Sequence, residues 1–104
     1  MTYYILDGHN PVPCNDLMEW GKWMGIANRI VSQEKVNGAK VSTIFLGIDH
    51  SFGGPNAAPK LFETMIFGGP YDGYQRRCMF WNEAEAMHKG AVEMVKRAME
   101  ITKR

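Results

Sequence analysis

RIVSQEKVNGAKVSTIFLGI, residues 29–48, decides the fold. Two runs of strand character, carrying Ile30, Val31 and Val36 on one side and Val41, Thr43, Ile44 and Ile48 on the other, flank Asn37-Gly38. That dipeptide between strand-like runs is the strongest short hairpin signal, because a type I′ turn needs positive φ at both central residues. Arg29–Val36 and Lys40–Ile48 are therefore read as two antiparallel arms. Downstream, DHSFGGPNAAP (49–59) is a Gly/Pro-rich loop, Lys60–Phe67 a third strand, GGPYDG (68–73) a turn and Tyr74–Trp81 a fourth strand. Consecutive strands of this kind pair as an antiparallel meander.

Outside the meander, Thr2–Leu6 reads as a strand that stops at Asp7-Gly8. His9–Pro13 reads as a loop, since Pro11 and Pro13 carry no backbone donor. Asn15 or Asp16 caps a helix to about Ala27, with Leu17, Trp20, Met24 and Ala27 on one apolar face. Gly21 and Gly25 weaken it by roughly 1 kcal/mol each relative to Ala, which predicts close approach of another element. Asn82, with Glu85 as its capping-box acid, opens a last helix whose apolar stripe is Ala84, Met87, Ala91, Met94, Ala98 and Ile101. His88 at the stripe's edge reads as a buried, hydrogen-bonded packing residue. The expectation is one α+β domain over residues 1–104, an antiparallel β meander in the order β-α-β-β-β-β-α with two helices packed on one face.

The central strands do not alternate cleanly. Val41, Thr43 and Phe45 share one face and Ser42, Ile44, Leu46 and Ile48 the other; Phe62, Thr64 and Ile66 oppose Leu61, Glu63, Met65 and Phe67. A sheet wet on one side should alternate, so both faces are expected to be partly buried. A second copy, in a two-fold homodimer, is one way to cover the second face. The N-terminal strand and long loop folding over it is the other.

Composition excludes some functions. A formal net charge of +1 is far from the basic excess of a phosphate-neutralising nucleic-acid binder, which leaves room only for a local basic patch. No apolar run approaches the roughly 18 residues of a membrane span. Met1–Asn10 lacks a basic region followed by an apolar core, so no signal peptide is expected and a cytoplasmic setting is. Cys14 and Cys78 form no metal-type pair and read as free thiols. His9, His50 and His88 are not spaced as ligands, so neither a metal nor a cofactor is expected. Eight Met, three Trp and five Phe suit an irregular core or a partner-binding surface.

VSTIFLGIDHSFGGPNAAPKLFETMIFGG, residues 41–69, looks like a small protein encoded in many phage and prophage genomes. The family pattern is V-S-T, an apolar pair, L-G-x-D-H-x-F-G-G, a Pro-containing loop and F-E-T-M-x-F-G-G. Asp49, His50, Phe52, Gly53, Gly54, Phe62, Glu63, Thr64, Met65, Phe67, Gly68 and Gly69 match it. The helix opening W-N-E-A-E-A-M-H resembles the family's E-A-E/L-A-G-H segment, with Met87 where Gly is more usual. The resemblance covers about two-thirds of the chain. It implies a phage or prophage origin, hence a host-cell cytoplasm, and no chemistry.

Two places qualify as sites. In a meander, the end of the second arm, the start of the third strand and the end of the fourth lie together. That gathers Asp49, His50, Ser51, Phe52, Lys60, Trp81 and the start of the last helix into a rim. His50 there is a candidate base, and Asp49 is equally suited to a turn hydrogen bond. The second place is Glu63, a mid-strand carboxylate that must be exposed or paired, with Arg76 or Arg77 as its cross-strand partner. Phe-Gly-Gly-Pro occurs at 52–55 and 67–70; lacking the Lys-Ser/Thr of a P-loop, both read as turns. The functional expectation is a binding protein for a host protein or small ligand through Asp49, His50, Phe52, Glu63, Arg76 and Trp81. A small hydrolase using His50, Asp49 or Glu63 and a structural or assembly oligomer are the alternatives.

Overall fold

In the computed structural model, which describes residues 2–49 and 57–102, the hairpin read from residues 29–48 is present. Strands β3 (Ile30–Val36) and β4 (Ala39–Phe45) pair antiparallel. Asn37 at φ 50° and Gly38 at φ 86° form the turn, the left-handed pair that a type I′ turn requires. Strands β5 (Phe62–Phe67) and β6 (Gln75–Cys78) complete a four-stranded meander in the order β3-β4-β5-β6. Gly68 and Gly69, at φ 87° and 73°, make the β5–β6 connection a turn, and Asp72 Oδ1 accepts from Gly68 N–H at 2.7 Å.

The N-terminus corrects the expected order. Residues 9–13 are not a loop: β1 (Tyr4–Asp7) and β2 (Asn10–Pro13) form a separate two-stranded hairpin. The prolines are tolerated for a register reason. Cys14 N–H donates to the Tyr3 carbonyl at 2.8 Å, and the register pairs Pro13 with Tyr4 and Pro11 with Leu6. Hydrogen-bonded pairs therefore fall at the alternate positions, and both prolines sit where an N–H would point outward.

Helix α1 (Leu17–Ile26) is capped by Asp16, whose carboxylate accepts from Met18 and Glu19 N–H. Its packing is lighter than the apolar stripe predicts. Leu17, Met18 and Ile26 are 58%, 75% and 88% exposed. A Cβ on Gly21 or Gly25 would meet nothing within 4 Å, so no described element approaches them as the sequence led one to expect. The helix docks through its indoles. Trp20 Nε1–H donates to the Gly47 carbonyl at 3.0 Å, and Trp23 packs edge-on against Phe45 with centroids 5.7 Å apart.

Helix α2 (Trp81–Thr102) runs across β3, β4, β5 and β6. Its cap lies two residues before the expected Asn82. Phe80 is the cap: its carbonyl accepts from Ala84 N–H, and its own N–H donates to Glu83 Oε1 at 3.0 Å. Glu83, not Glu85, is thus the reciprocal acid, because it stands three residues beyond the true cap. The core lies between α2 and the sheet face of Val41, Phe45, Phe62 and Ile66, closed by Ala84, Met87, Ala91, Val92 and Val95. Both helices sit on this face, as the pattern predicted.

The opposite face carries no helix among the described residues. At its centre Ser42 and Glu63 are nonetheless buried, with Ile44 and Met65 half-buried. Long polar side chains lie across it: Gln33 Nε2–H donates to Ser42 Oγ at 2.9 Å, and Gln75 and Arg77 both reach Glu63. The irregular alternation of the central strands thus has a source within one chain.

Candidate functional site

Of the expected rim, Asp49, Lys60 and Trp81 lie among the described residues. Asp49 Oδ1 accepts from Lys60 N–H at 3.0 Å, tying the end of β4 to the approach of β5. Asp49 N–H donates to the Thr2 carbonyl at 3.1 Å. This is the loop-pinning role open to an aspartate. Trp81 stands at the first turn of α2 with its edge against Phe62. The His9 ring from the β1–β2 turn stacks on it, centroids 3.8 Å apart and planes within 2°. His50, Ser51 and Phe52 lie outside the described residues.

Glu63 and Arg76 separate to opposite faces. Glu63 pairs in register with Arg77, whose Nε–H donates to Glu63 Oε2 at 2.8 Å. Gln75 donates to the same oxygen. Arg76, one residue out of phase, stands opposite Thr64 on the α2 side, so Arg77 is the cross-strand partner and Arg76 is not.

Arg76 instead borders a groove that sequence reasoning missed. A cavity of about 760 Å³ opens between β6 and α2. Its apolar lining comes from Met79, Phe80, Met87, Ala91 and Met94, with Gly90 on the helix side. Phe80 is 48% exposed. Lys60, Arg76, Arg77 and Glu83 supply its charges. Arg77 is held by Glu63 and Glu83 by the Phe80 N–H. Among the described residues the side chains of Lys60 and Arg76 make no hydrogen bond or ion pair, which leaves two uncommitted cations over apolar walls. The signals were in the sequence but needed topology to join them: small residues and Met87 and Met94 along α2, and a last strand at the sheet edge.

Cys78 lines the same groove. Burial foremost, then the Glu83 carboxylate, pushes its thiol up to about 11, while Lys60, Arg76 and a Phe80 backbone hydrogen bond pull less strongly the other way. A thiol in that state is a poor nucleophile near neutral pH.

A second constellation resembles nucleophilic machinery. His88 Nε2 lies 3.0 Å from Glu34 Oε1, His88 Nδ1 lies 2.8 Å from Thr43 Oγ1, and Thr43 Oγ1 lies 2.5 Å from Thr64 Oγ1. A hydroxyl, an imidazole and a carboxylate in this order match an activated nucleophile. Access rules it out: Thr43 and Thr64 are 0% exposed and His88 3%. The chain is a fully satisfied polar thread through the core, as expected for a packing histidine. Among the described residues no three or more His, Cys, Asp or Glu gather to hold a metal ion. No helix among the described residues is long and apolar enough to cross a membrane.

Comparison of the chain with protein-family models, with curated proteins and with solved structures finds no match.

Proposed function

We propose that this is a small binding protein whose working surface is the groove between β6 and α2. The observation that carries the reading is the pair of uncommitted cations, Lys60 and Arg76, standing over apolar walls of Met79, Phe80, Met87 and Met94. A pocket with apolar walls and a few placed charges is the usual form of a recognition site. An uncompensated guanidinium selects for carboxylate or phosphate. The ligand is therefore anionic at one point and apolar beside it. The raised Cys78 thiol and the sealed Thr43–His88–Glu34 thread favour binding over hydrolysis. The resemblance to phage and prophage proteins supports a host-directed setting, either blocking a host defence protein or sequestering a small signalling ligand.

The test is a thermal-shift screen of anionic amphiphiles and nucleotides, run beside capture from bacterial lysate, on wild type and Arg76→Glu. Binding that disappears in Arg76→Glu supports the reading. A well-folded wild type that shifts with nothing and retains nothing sinks it.

Self-association is the second reading, and α1 favours it. Leu17, Met18 and Ile26 are exposed, and Gly21 and Gly25 leave open space one helical turn apart. The same helix of a second copy would meet this surface across a two-fold axis. Light scattering that finds a strict monomer at every concentration excludes it.

A further inference from the structure

We propose that the groove's occupant is an extended acidic segment of a partner protein, added as a fifth strand on the outer edge of β6. This rests on the groove being the binding surface and goes further by naming the occupant and its mode.

The first argument is the backbone of β6. The strand pairs with β5 on one side, and no described strand pairs with its other side. Tyr74 and Cys78 carbonyls accept from Ile66 and Leu61 N–H. In an antiparallel ladder the next residues along point the opposite way. The N–H and C=O groups of Gln75 and Arg77 therefore face outward. These are the groups an incoming strand uses in β-augmentation.

The second argument is space. Neighbouring strands lie about 4.8 Å apart, so an added strand lies in the sheet plane beside β6 and its α2-facing side chains need room in the groove. The helix offers its smallest side chains there, Ala86, Gly90 and Ala91. A Cβ on Gly90 would meet nothing within 4 Å. Bulkier Met87 and Met94 bound the same wall, giving flexible apolar pockets for alternate side chains of the guest.

The third argument is charge. Tyr74, Arg76 and Cys78 turn their side chains to the α2 side, so a guest strand presents every second residue to the same space. The guest residue beside Arg76 meets an uncommitted guanidinium and is acidic; those before and after it meet Tyr74 and the methionines and are apolar. Lys60 extends the preference for negative charge along the groove. The recognised pattern is apolar-x-acidic-x-apolar in extended conformation.

The probe is a capped fluorescent peptide, Thr-Thr-Val-Thr-Glu-Thr-Val-Thr-Thr, titrated by anisotropy and by amide NMR. Saturable binding is expected, with slowed hydrogen exchange at the Gln75 and Arg77 amides. Replacing the central Glu by Lys, or Arg76→Glu in the protein, weakens it by about 10-fold or more, the worth of one charge-assisted hydrogen bond. Gly90→Leu abolishes binding while leaving the fold intact, because it fills the groove at an unobstructed helix position. N-methylation of alternate peptide nitrogens abolishes binding in one phase and spares it in the other.

Binding that tolerates both methylation phases, or that leaves the Gln75 and Arg77 amides unprotected, overturns strand addition. Protection of those amides without peptide, growing with protein concentration, overturns it in favour of a second copy. If the peptide fails but hexanoate or phenyl phosphate shifts groove resonances in an Arg76-dependent way, strand addition falls and the groove reading stands. If none of these probes binds, both fall.

Discussion

Thr43→Val and Thr64→Val are the same chemical change at paired positions in the sheet, and the structure predicts unequal costs. Both residues are 0% exposed, and their hydroxyls lie 2.5 Å apart. For a neutral imidazole the Glu34 carboxylate sets the direction of the thread: it accepts from His88 Nε2–H, which leaves Nδ1 to accept from the Thr43 hydroxyl. The Thr43 oxygen in turn accepts from the Thr64 hydroxyl. Removing the Thr43 hydroxyl strands two groups, His88 Nδ1 and the Thr64 O–H, each worth about 1–3 kcal/mol when left unsatisfied. With the added methyl offsetting part of this, the net cost is about 3 kcal/mol. Removing the Thr64 hydroxyl leaves Thr43 bonded to His88 and strands no donor, for about 1 kcal/mol. In a domain of this length those figures lower Tm by on the order of 15 °C and 5 °C. The double variant removes the stranded Thr64 O–H and should lose about 2 kcal/mol of stability, less than Thr43→Val alone. Urea unfolding followed by circular dichroism measures all three. Equal costs for the two single variants, or a double variant equal to their sum, would refute the thread and its direction.

Other consequences are separable from that one. Arg77→Leu leaves the buried Glu63 carboxylate with Gln75 alone and should cost about 2–3 kcal/mol. Glu63→Met frees a part-exposed arginine and should cost about 1 kcal/mol, an asymmetry readable by chemical denaturation. Gly47 has φ +79°, and a Cβ there would stand 2.7 Å from Met24 Sδ and 3.5 Å from Trp20 Nε1. The methionine end can move but the backbone cannot, so Gly47→Ala should destabilise by about 1–2 kcal/mol and loosen α1 in hydrogen exchange. Cys78 keeps its proton in the fold up to about 11, whereas the ordinary thiol value is 9.0. The stability tied to it is complete below the unfolded value and is lost as pH climbs from about 9 towards 11. In a Cys14→Ser background, iodoacetamide labelling of native protein should stay slow through that window and become fast on unfolding. Fast labelling at pH 8 would contradict the buried thiol.

What the sequence carried and what it withheld divide along local against non-local physics. Asn37-Gly38 specifies its turn through its own φ preferences, and Asp16 caps α1 through its neighbours' N–H groups; both were legible. The strand at Pro11 and Pro13 was not, because a proline's tolerance depends on which side of a ladder it occupies, and that is settled by the partner Tyr3. The α2 start was misplaced because Asn82 is the better cap by residue type, while the chain direction leaving β6 makes Phe80 the residue whose carbonyl takes the first helical bond. Glu63 was legible as a paired carboxylate, but the choice between Arg76 and Arg77 needed the register. The Asp49 turn hydrogen bond was legible as a role open to that residue type, and it lands on the Lys60 N–H. The groove was not, since it exists only once β6 is known to be an edge lying beside α2.

The two edges of the meander show why a guest strand belongs on β6 and not on β3. Exposed edges invite pairing, and proteins blunt them with bulges and charge. Strand β3 has both devices: its register breaks between Ile30 and Ser32, and Glu34 and Lys35 stand exposed along it. Strand β6 keeps unbroken register from Gln75 to Cys78, and its guard is charge alone, from Arg76 and Arg77. A guard of positive charge repels a second basic edge, resists a neutral one through the cost of desolvating the guanidinium, and attracts an acidic one. With Arg77 held by Glu63 on the far face, Arg76 is left as the discriminating residue. Its replacement by a neutral side chain should do two things at once: weaken the acidic peptide and relax rejection of a neutral one. Arg76→Ala tested against the Glu-centred peptide and its Gln-centred counterpart separates the cases. A preference for Glu over Gln that survives the substitution undiminished would show that Arg76 does not set the specificity of this edge.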